Sequence, residues 1–341
     1  MNYILKDENA VYYECGFSCD NEVFLKLGSE AFFITDSRYT TEAEEYVKNA
    51  EVIEGDRRNL LTTVKDFLTD NDIENVVFNP YEWSVKEFQA VQNGSVEFKA
   101  IDNFSMQKRI IKSEKELEIL KKASILGADA FEKFAGFLID SGKGLSEKRL
   151  HFEAERILKD FGNLDISFSP IVAINENSAK PHSLPTSKVF SDDDLLLFDA
   201  GVKFERYCSD RTRVTSMDRV LGFDKKKVFK DSFKQKIYDT VLFAQEAAIK
   251  AVRTGIKAKE IDRAAREVIE KAGFGKYFIH STGHGVGLDI HEFPVISSKS
   301  ETVIEENMVF TIEPGIYLAG EFGIRIEDTV ISRQNGAEVI G

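Results

Sequence analysis

Apolar and polar positions alternate in short blocks along the first hundred residues. Ala31-Phe32-Phe33-Ile34-Thr35 is an apolar block of strand length ending at Asp36, and Val76-Val77-Phe78 is another, closed by Asn79-Pro80. Between them Thr41 and Glu44 stand at capping-box spacing, which predicts a helix start. Strands and helices taking turns in this way predict a small α/β domain. The character changes near residue 104. Lys108, Arg109 and Lys112 form a basic patch, Ser113 precedes Glu116 at capping-box spacing, and Leu117, Leu120 and Ala123 follow on one helical face. The expected domains are residues 1–104 and 105–341.

The second of these carries a faint internal repeat. Gly144 and Gly162 are 18 residues apart, and so are Gly255 and Gly273. Between them Leu150, Ala154, Ile157 and Leu158 fall at the same offsets as Ile261, Ala265, Val268 and Ile269. Each copy predicts an amphipathic helix ending at a glycine cap. Strand-like sequence follows each: Phe168-Ser169-Pro170-Ile171-Val172 in one, Tyr277-Phe278-Ile279 in the other. Duplication gives two pseudo-symmetric halves with a site where they meet; two amphipathic helices that merely look alike give the same offsets. Between the copies, the lysine-rich residues 218–235 read as a solvated insertion.

Composition narrows the classes. The chain has 341 residues, 43% hydrophobic and 30% charged, which suits two folded domains and excludes a disordered, collagen-like or disulfide-stapled chain. A net charge of −13 argues against nucleic acid or an anionic membrane as partner. Apolar runs such as Leu195 to Phe198 are far shorter than the roughly 20 residues a bilayer needs. The N-terminus lacks the basic-then-apolar pattern of a secretory signal. Three cysteines cannot all pair internally, and the expected state is reduced thiols in the cytoplasm.

Histidine is scarce, with five in the chain, yet His280, His284 and His291 lie within twelve residues among Gly283, Gly285 and Gly287. Glycines there let the backbone approach something closely. His182 follows Pro181, while His151, in a plain amphipathic segment, reads as structural. Asp199 ends the run Leu195 to Phe198, and a carboxylate at the mouth of a buried strand is costly unless paired or metal-bound. Asp210 lies eleven residues on, the span of a hairpin returning to the same end of a sheet; an Asp–Arg surface pair is its other reading. Glu313 follows Met308 to Ile312 and precedes Pro314-Gly315. In Ile324-Arg325-Ile326-Glu327, alternation puts Arg325 and Glu327 on one side, as a structural ion pair or as a metal ligand beside its partner.

Four carboxylates converging with one imidazole repel one another unless divalent cations neutralise them. Two ions balance that charge, and oxygen-rich ligation with a single imidazole favours Mn²⁺, with Co²⁺ or Zn²⁺ also accommodated. Ions roughly 3.5–4 Å apart bridge and activate a hydroxide as nucleophile. His-Glu-x-x-His, Gly-x-Ser-x-Gly, Walker and dinucleotide-loop motifs are absent from the sequence.

Asp199-Ala-Gly, Tyr207-Cys-Ser-Asp210-Arg-Thr-Arg213, His280-Ser-Thr-Gly-His284, Thr311-Ile-Glu313-Pro-Gly315 and Arg325-Ile-Glu327-Asp resemble the signatures of the pita-bread metallopeptidases. Within that group the chain is most similar to Xaa-Pro aminopeptidases and Xaa-Pro dipeptidases (prolidases), and Ile34-Thr35-Asp36-Ser37-Arg38-Tyr39 looks like their N-terminal domain. The resemblance implies a mixed α/β chain: a small N-terminal α/β domain, then a pseudo-symmetric pita-bread domain. It implies Asp199, Asp210, His284, Glu313 and Glu327 as ligands of two divalent metal ions, with Asp210 and Glu327 bridging. His182, His280 and His291 would line the substrate site, Glu313 would also take a proton from the nucleophile, and Arg325 would support the ligands. A peptide with proline second is the implied substrate and a homodimer the implied assembly. The leading expectation is removal of the residue before proline by an aminopeptidase. A dipeptidase is the alternative, and a metal-free pita-bread binding protein a more distant one. A methionine aminopeptidase fits poorly, because those enzymes usually lack the N-terminal domain.

Overall fold

The computed structural model describes residues 1–92, 94–217 and 221–341. It divides into two compact units, Met1–Arg109 and Ile110–Gly341. In the first unit the strands lie side by side in the order Glu51–Gly55, Glu30–Asp36, Glu22–Leu27, Tyr3–Leu5, Asn75–Phe78, Glu97–Ala100. Both apolar blocks singled out in the sequence are strands of this sheet. Successive side chains point to opposite faces. Ile4, Leu25 and Ile34 pack with Val64 and Leu68 of helix Leu60–Asp70. Their neighbours Leu5, Phe24 and Phe33 pack on the other face with Val11 and Cys15 of helix Glu8–Cys15.

Two expectations for this region are corrected. The helix after Asp36 runs Thr40–Tyr46, and its N-cap, Tyr39, makes no side-chain cap bond. The turn is closed instead by Asp36, which accepts the Arg38 backbone N–H at 3.0 Å and its guanidinium at 2.7 and 2.9 Å. Nor is there a basic surface patch. Lys108 pairs with Glu14 and donates to the Tyr3 hydroxyl at 2.9 Å, Arg109 is buried, and the buried Lys112 donates to Glu292 at 3.0 Å within the second unit.

The second unit is built twice over. Helix Glu114–Phe137 begins with the expected capping box of Ser113 and Glu116, and helix Glu147–Leu158 follows. Helices Ser232–Ala251 and Ala258–Lys271 repeat the pair. In the first half, strand Leu195–Ala200 lies between Ile171–Ile174 and Arg211–Ser216, antiparallel to both. In the second, Val309–Ile312 lies between Gly283–Gly285 and Asp328–Arg333, again antiparallel to both. Backbone bonds repeat too: Gly144 donates to Phe190 and Gly255 to Ile304, both at 2.8 Å. Amphipathic resemblance alone does not reproduce strand pairing and backbone bonds, so the two halves are pseudo-symmetric.

Three local expectations differ from the structure. Gly273, at φ 89°, follows the end of its helix, but the first helix stops at Leu158, and Asp160, Phe161 and Gly162 all take left-handed φ in the turn beyond. Tyr277-Phe278-Ile279 is not a strand; a short 3-10 turn, Gly275–Tyr277, precedes the strand at Gly283. Of the lysine-rich stretch, residues 218–220 lie outside the described residues. The rest is solvated only in part: Lys226 and Lys230 are exposed and helix Ser232–Ala251 begins within it, but Phe223 and Phe229 are buried in the two cores and Lys225 pairs with Asp328. Counting charge missed the aromatic residues spaced between the lysines.

Candidate metal centre

The duplicated sheets bring four carboxylates to equivalent places. Asp199 is the penultimate residue of Leu195–Ala200, and Glu313 directly follows Val309–Ile312. Asp210 directly precedes Arg211–Ser216, and Glu327 directly precedes Asp328–Arg333. His284 is the middle residue of Gly283–Gly285. A Cβ on Gly283 would lie 1.9 Å from the Thr311 carbonyl oxygen, so only glycine lets this strand come close enough to present the ring.

Among the described residues, donor atoms of Asp210, His284 and Glu327 lie within 4.8 Å of one another. His284 Nε2 is 3.6 Å from Asp210 Oδ2 and 3.5 Å from Glu313 Oε1. Its Nδ1 is 3.1 Å from the Gly285 carbonyl oxygen, which can only accept, so Nδ1 carries the proton of the neutral ring. The Nε2 lone pair therefore faces two carboxylates, an arrangement that calls for a cation. Burial first, then Glu327, Asp199 and Glu313, pushes the Asp210 carboxyl well above its ordinary range. Burial, then Glu313 and Asp199, does the same to Glu327, and burial pushes Glu313 up to about 7. Burial pushes the His284 ring down, toward neutrality. Oδ1 of Asp199 and Oδ1 of Asp210 are buried with no hydrogen-bond partner among the described residues. Orphaned oxygens, mutually repelling carboxylates and a bare imidazole lone pair fit divalent cations.

Arg325 supports this cluster and is not a ligand. Its guanidinium donates to Asp199 Oδ2 at 2.5 Å, to Thr212 Oγ1 at 3.0 Å and to the Tyr317 hydroxyl at 2.8 Å. Thr212 in turn donates to Glu327 Oε2 at 2.6 Å. Tyr317 and Thr212 were not singled out from the sequence. Hairpin register carried the signal for Tyr317: Gly315 pairs with Arg325 and Tyr317 with Gly323, which puts Tyr317 on the Arg325 face.

A cavity of about 440 Å³ opens beside the cluster and is lined by Asp199, Asp210, His284, Glu313, Arg325 and Glu327, and also by His182, His280 and His291. All nine residues expected from the sequence thus meet at one place. The three remaining histidines are not alike. His280 Nε2 lies 2.9 Å from the Tyr317 hydroxyl and Nδ1 2.7 Å from the Ser281 carbonyl, so both nitrogens are engaged by the protein. Burial, then the charge of Arg325, pushes His280 down to about 4. The His291 ring meets the His284 ring edge-on at 4.3 Å, and burial, then His284, lowers it as well. His182 sits exposed on the loop after Pro181. His151, read as structural, lies outside the cavity lining, 3.1 Å from Ser169 Oγ. Apolar walls come from Phe168, Ile171, Leu184, Ile290 and Val295. Cys15, Cys19 and Cys208 are free thiols, and no described helix is long and apolar enough to cross a membrane.

The chain matches two family models: the creatinase/prolidase N-terminal domain over residues 2–111 and metallopeptidase family M24 over residues 118–334. It is 43% identical over 242 residues to a Xaa-Pro dipeptidase of Pyrococcus furiosus, a match covering 71% of this chain and 66% of that one, just under two thirds of the relative's length. A Xaa-Pro dipeptidase from Bacillus anthracis has the same fold at a TM-score of 0.90, with 32% identity over 99% of this chain and 92% of that one. An X-Pro aminopeptidase from Thermotoga maritima superposes at 0.87, with 33% identity over 99% of this chain and 94% of that one. The duplicated unit therefore has the pita-bread fold, and the chain belongs to metallopeptidase family M24.

Proposed function

We propose that this protein is a metal-dependent peptidase that hydrolyses the bond before proline, acting on Xaa-Pro dipeptides. The observation that carries this reading is the His284 Nε2 lone pair set against Asp210 and Glu313 in the lining of a cavity of about 440 Å³. The sequence put the aminopeptidase first; the 43% identity to a relative named as a dipeptidase supports the other order. The similarity to the Thermotoga maritima aminopeptidase supports cleavage of longer peptides as the second reading.

In this proposal Asp199, Asp210, His284, Glu313 and Glu327 hold two divalent cations, Mn²⁺ before Co²⁺ or Zn²⁺. When bound, these supply Lewis acidity at the scissile carbonyl and an acidified water. Glu313 takes the proton of the attacking water on its carboxylate. Arg325 keeps Asp199 turned toward the cluster, and Tyr317 ties Arg325 to His280. His182 and His291 bind the substrate and carry a proton to the prolyl nitrogen. A bond to proline lacks the N–H that many proteases grip, and none of these contacts needs it. A homodimer and a cytoplasmic location belong to the same proposal, resting on the family resemblance and the free thiols.

Chelator-treated protein reloaded in turn with Mn²⁺, Co²⁺ and Zn²⁺ and assayed on Xaa-Pro dipeptides and Xaa-Pro-Xaa tripeptides tests the reading. Dipeptide turnover restored best by Mn²⁺ is expected. Faster cleavage of tripeptides would replace the dipeptidase with the aminopeptidase, and no restored turnover on either would end the peptidase proposal.

A further inference from the structure

Glu147 is fully buried at the start of helix Glu147–Leu158 and outside the cavity lining. Its carboxylate is surrounded by donors. Oε1 accepts the Ile174 backbone N–H at 2.6 Å. Oε2 accepts the Thr186 backbone N–H at 2.6 Å, the Thr186 hydroxyl at 2.5 Å and the Asn177 amide at 2.9 Å. Ile174 ends a strand and Thr186 lies twelve residues on; between them run Pro181, His182, Ser183, Leu184 and Pro185, which line the cavity. One carboxylate thus grips both ends of the loop that carries His182. The middle of the loop is held from the other half, where the Gly323 N–H donates to Ser178 Oγ at 2.8 Å and Arg325 donates to the Pro181 carbonyl at 3.3 Å.

The second half uses the same device with different residues. Buried Asp262 accepts from Thr282 Oγ1 at 2.8 Å and from Arg266 at 2.9 Å, and Arg266 donates to the carbonyls of Phe278 and His280 at 3.1 and 3.0 Å. In each half a buried carboxylate on the second helix fastens a loop bearing a cavity histidine. Hydrogen bonds to an ionised acceptor are the strong ones, and a loop closed at both ends has little freedom left.

We infer that Glu147 is a positioning residue for His182: it fixes the 174–186 loop so that the imidazole stays at the cavity. The inference rests on the peptidase reading for the role of His182. Its test combines Glu147→Gln, which keeps the size but turns donors toward donors, with His182→Ala, the double variant, and Thr186→Val as a milder loosening of the same clamp.

Glu147→Gln is expected to lower kcat/KM on a Xaa-Pro dipeptide about tenfold, the lower end for residues that orient an active-site group, while keeping the parent's metal content. In the His182→Ala background the same change is expected to cost less than about twofold, because nothing is left to position. Thr186→Val should show the same dependence on His182 at smaller size, and carries the test if Glu147→Gln does not fold. Hydrogen exchange should quicken in residues 174–186 and stay unchanged in 278–284, a readout independent of turnover. Equal losses in both backgrounds, or exchange rising equally in both loops, would overturn the clamp. A His182→Ala chain as active as the parent would instead overturn the role of His182, and the inference with it.

Discussion

In the first half of the second unit, the strand beside Asp199 is Ile171-Val172-Ala173-Ile174, apolar and buried throughout. In the second half, the strand at the equivalent place is Gly283-His284-Gly285. One strand carries aliphatic side chains worth roughly 1.5–3 kcal/mol each when buried, apart from the smaller alanine; the other is nearly as enclosed but carries an imidazole and two glycines, which add little apolar surface to the core. The carboxylates arrive symmetrically, two per half, but the imidazole set against them, His284, comes from one half alone. A duplicated scaffold can therefore keep one copy of a strand for packing and turn the other copy toward the site, while both halves supply carboxylates, provided the two are fastened together. Arg213 of the first half makes that link, donating to the Glu327 carbonyl at 2.5 Å and pairing with Asp328 of the second.

The comparison is broken most severely at the carboxylates. Asp210→Ala in one half and Glu327→Ala in the other should each reduce kcat/KM on the order of a thousandfold, since cation chemistry is worth several kcal/mol and each 1.36 kcal/mol is tenfold. Metal content should fall with it. Parent-level metal in either variant would show that the halves do not share the site.

Arg213→Met attacks the fastening. Burial alone would raise the Asp328 carboxyl, but Arg213 and Lys225 outweigh it and hold it well below the usual range. Removing Arg213 leaves that buried charge to Lys225 and the Gln245 amide, at an expected cost of about 3 kcal/mol by denaturant unfolding, the low end for a broken buried pair. The parent owns this stability above the unfolded carboxyl pKa of about 4 and loses it as pH falls below that. The difference between parent and variant should therefore shrink in acid; a difference constant from neutral pH into acid would contradict the role of the ion pair.

The metal-free protein should show the opposite slope at the other end of the scale. From about pH 7 upward the histidines, lowered in the folded chain, keep only a minor share of their protons in the unfolded chain as well. Glu313, pushed up to about 7, and Asp210 and Glu327, held well above the ordinary carboxyl range, bind protons in the folded chain that the unfolded chain has lost. Stability then falls as pH rises, by about 1.4 kcal/mol per pH unit for each carboxyl still protonated. Thermal scans with chelator should show this fall and scans with Mn²⁺ should not; parallel curves would mean the carboxylates are neutralised by something other than a cation. Smallest of all, Gly283→Ala should cost about 1–3 kcal/mol through the clash with Thr311 and weaken metal binding. Ile174→Val, on the apolar strand of the other half, should cost about 0.5–1.5 kcal/mol and leave metal binding alone.

Much of the site was legible because its chemistry conflicts with its surroundings. Asp199 after four apolar residues and His284 between glycines are costly choices unless something binds there, and such conflicts stand out in a sequence. Tyr317 and Thr212 did not stand out, because a tyrosine and a threonine in strands are ordinary until register shows which side chains share a face. Glu147 was hidden for another reason: it occupies a first-turn position where an acidic residue is expected on helix-dipole grounds alone. The buried pair of Lys112 and Glu292 spans 180 residues, and no local pattern announces it. In residues 221–235 a lysine-rich exterior concealed Phe223 and Phe229, whose burial depends on cores built by distant strands and helices.

The most direct test is anomalous scattering from crystals grown with Mn²⁺. Two peaks enclosed by Asp199, Asp210, His284, Glu313 and Glu327, absent in Asp210→Ala, are the predicted result. Manganese bound elsewhere, with these side chains unchanged around an empty centre, would contradict it.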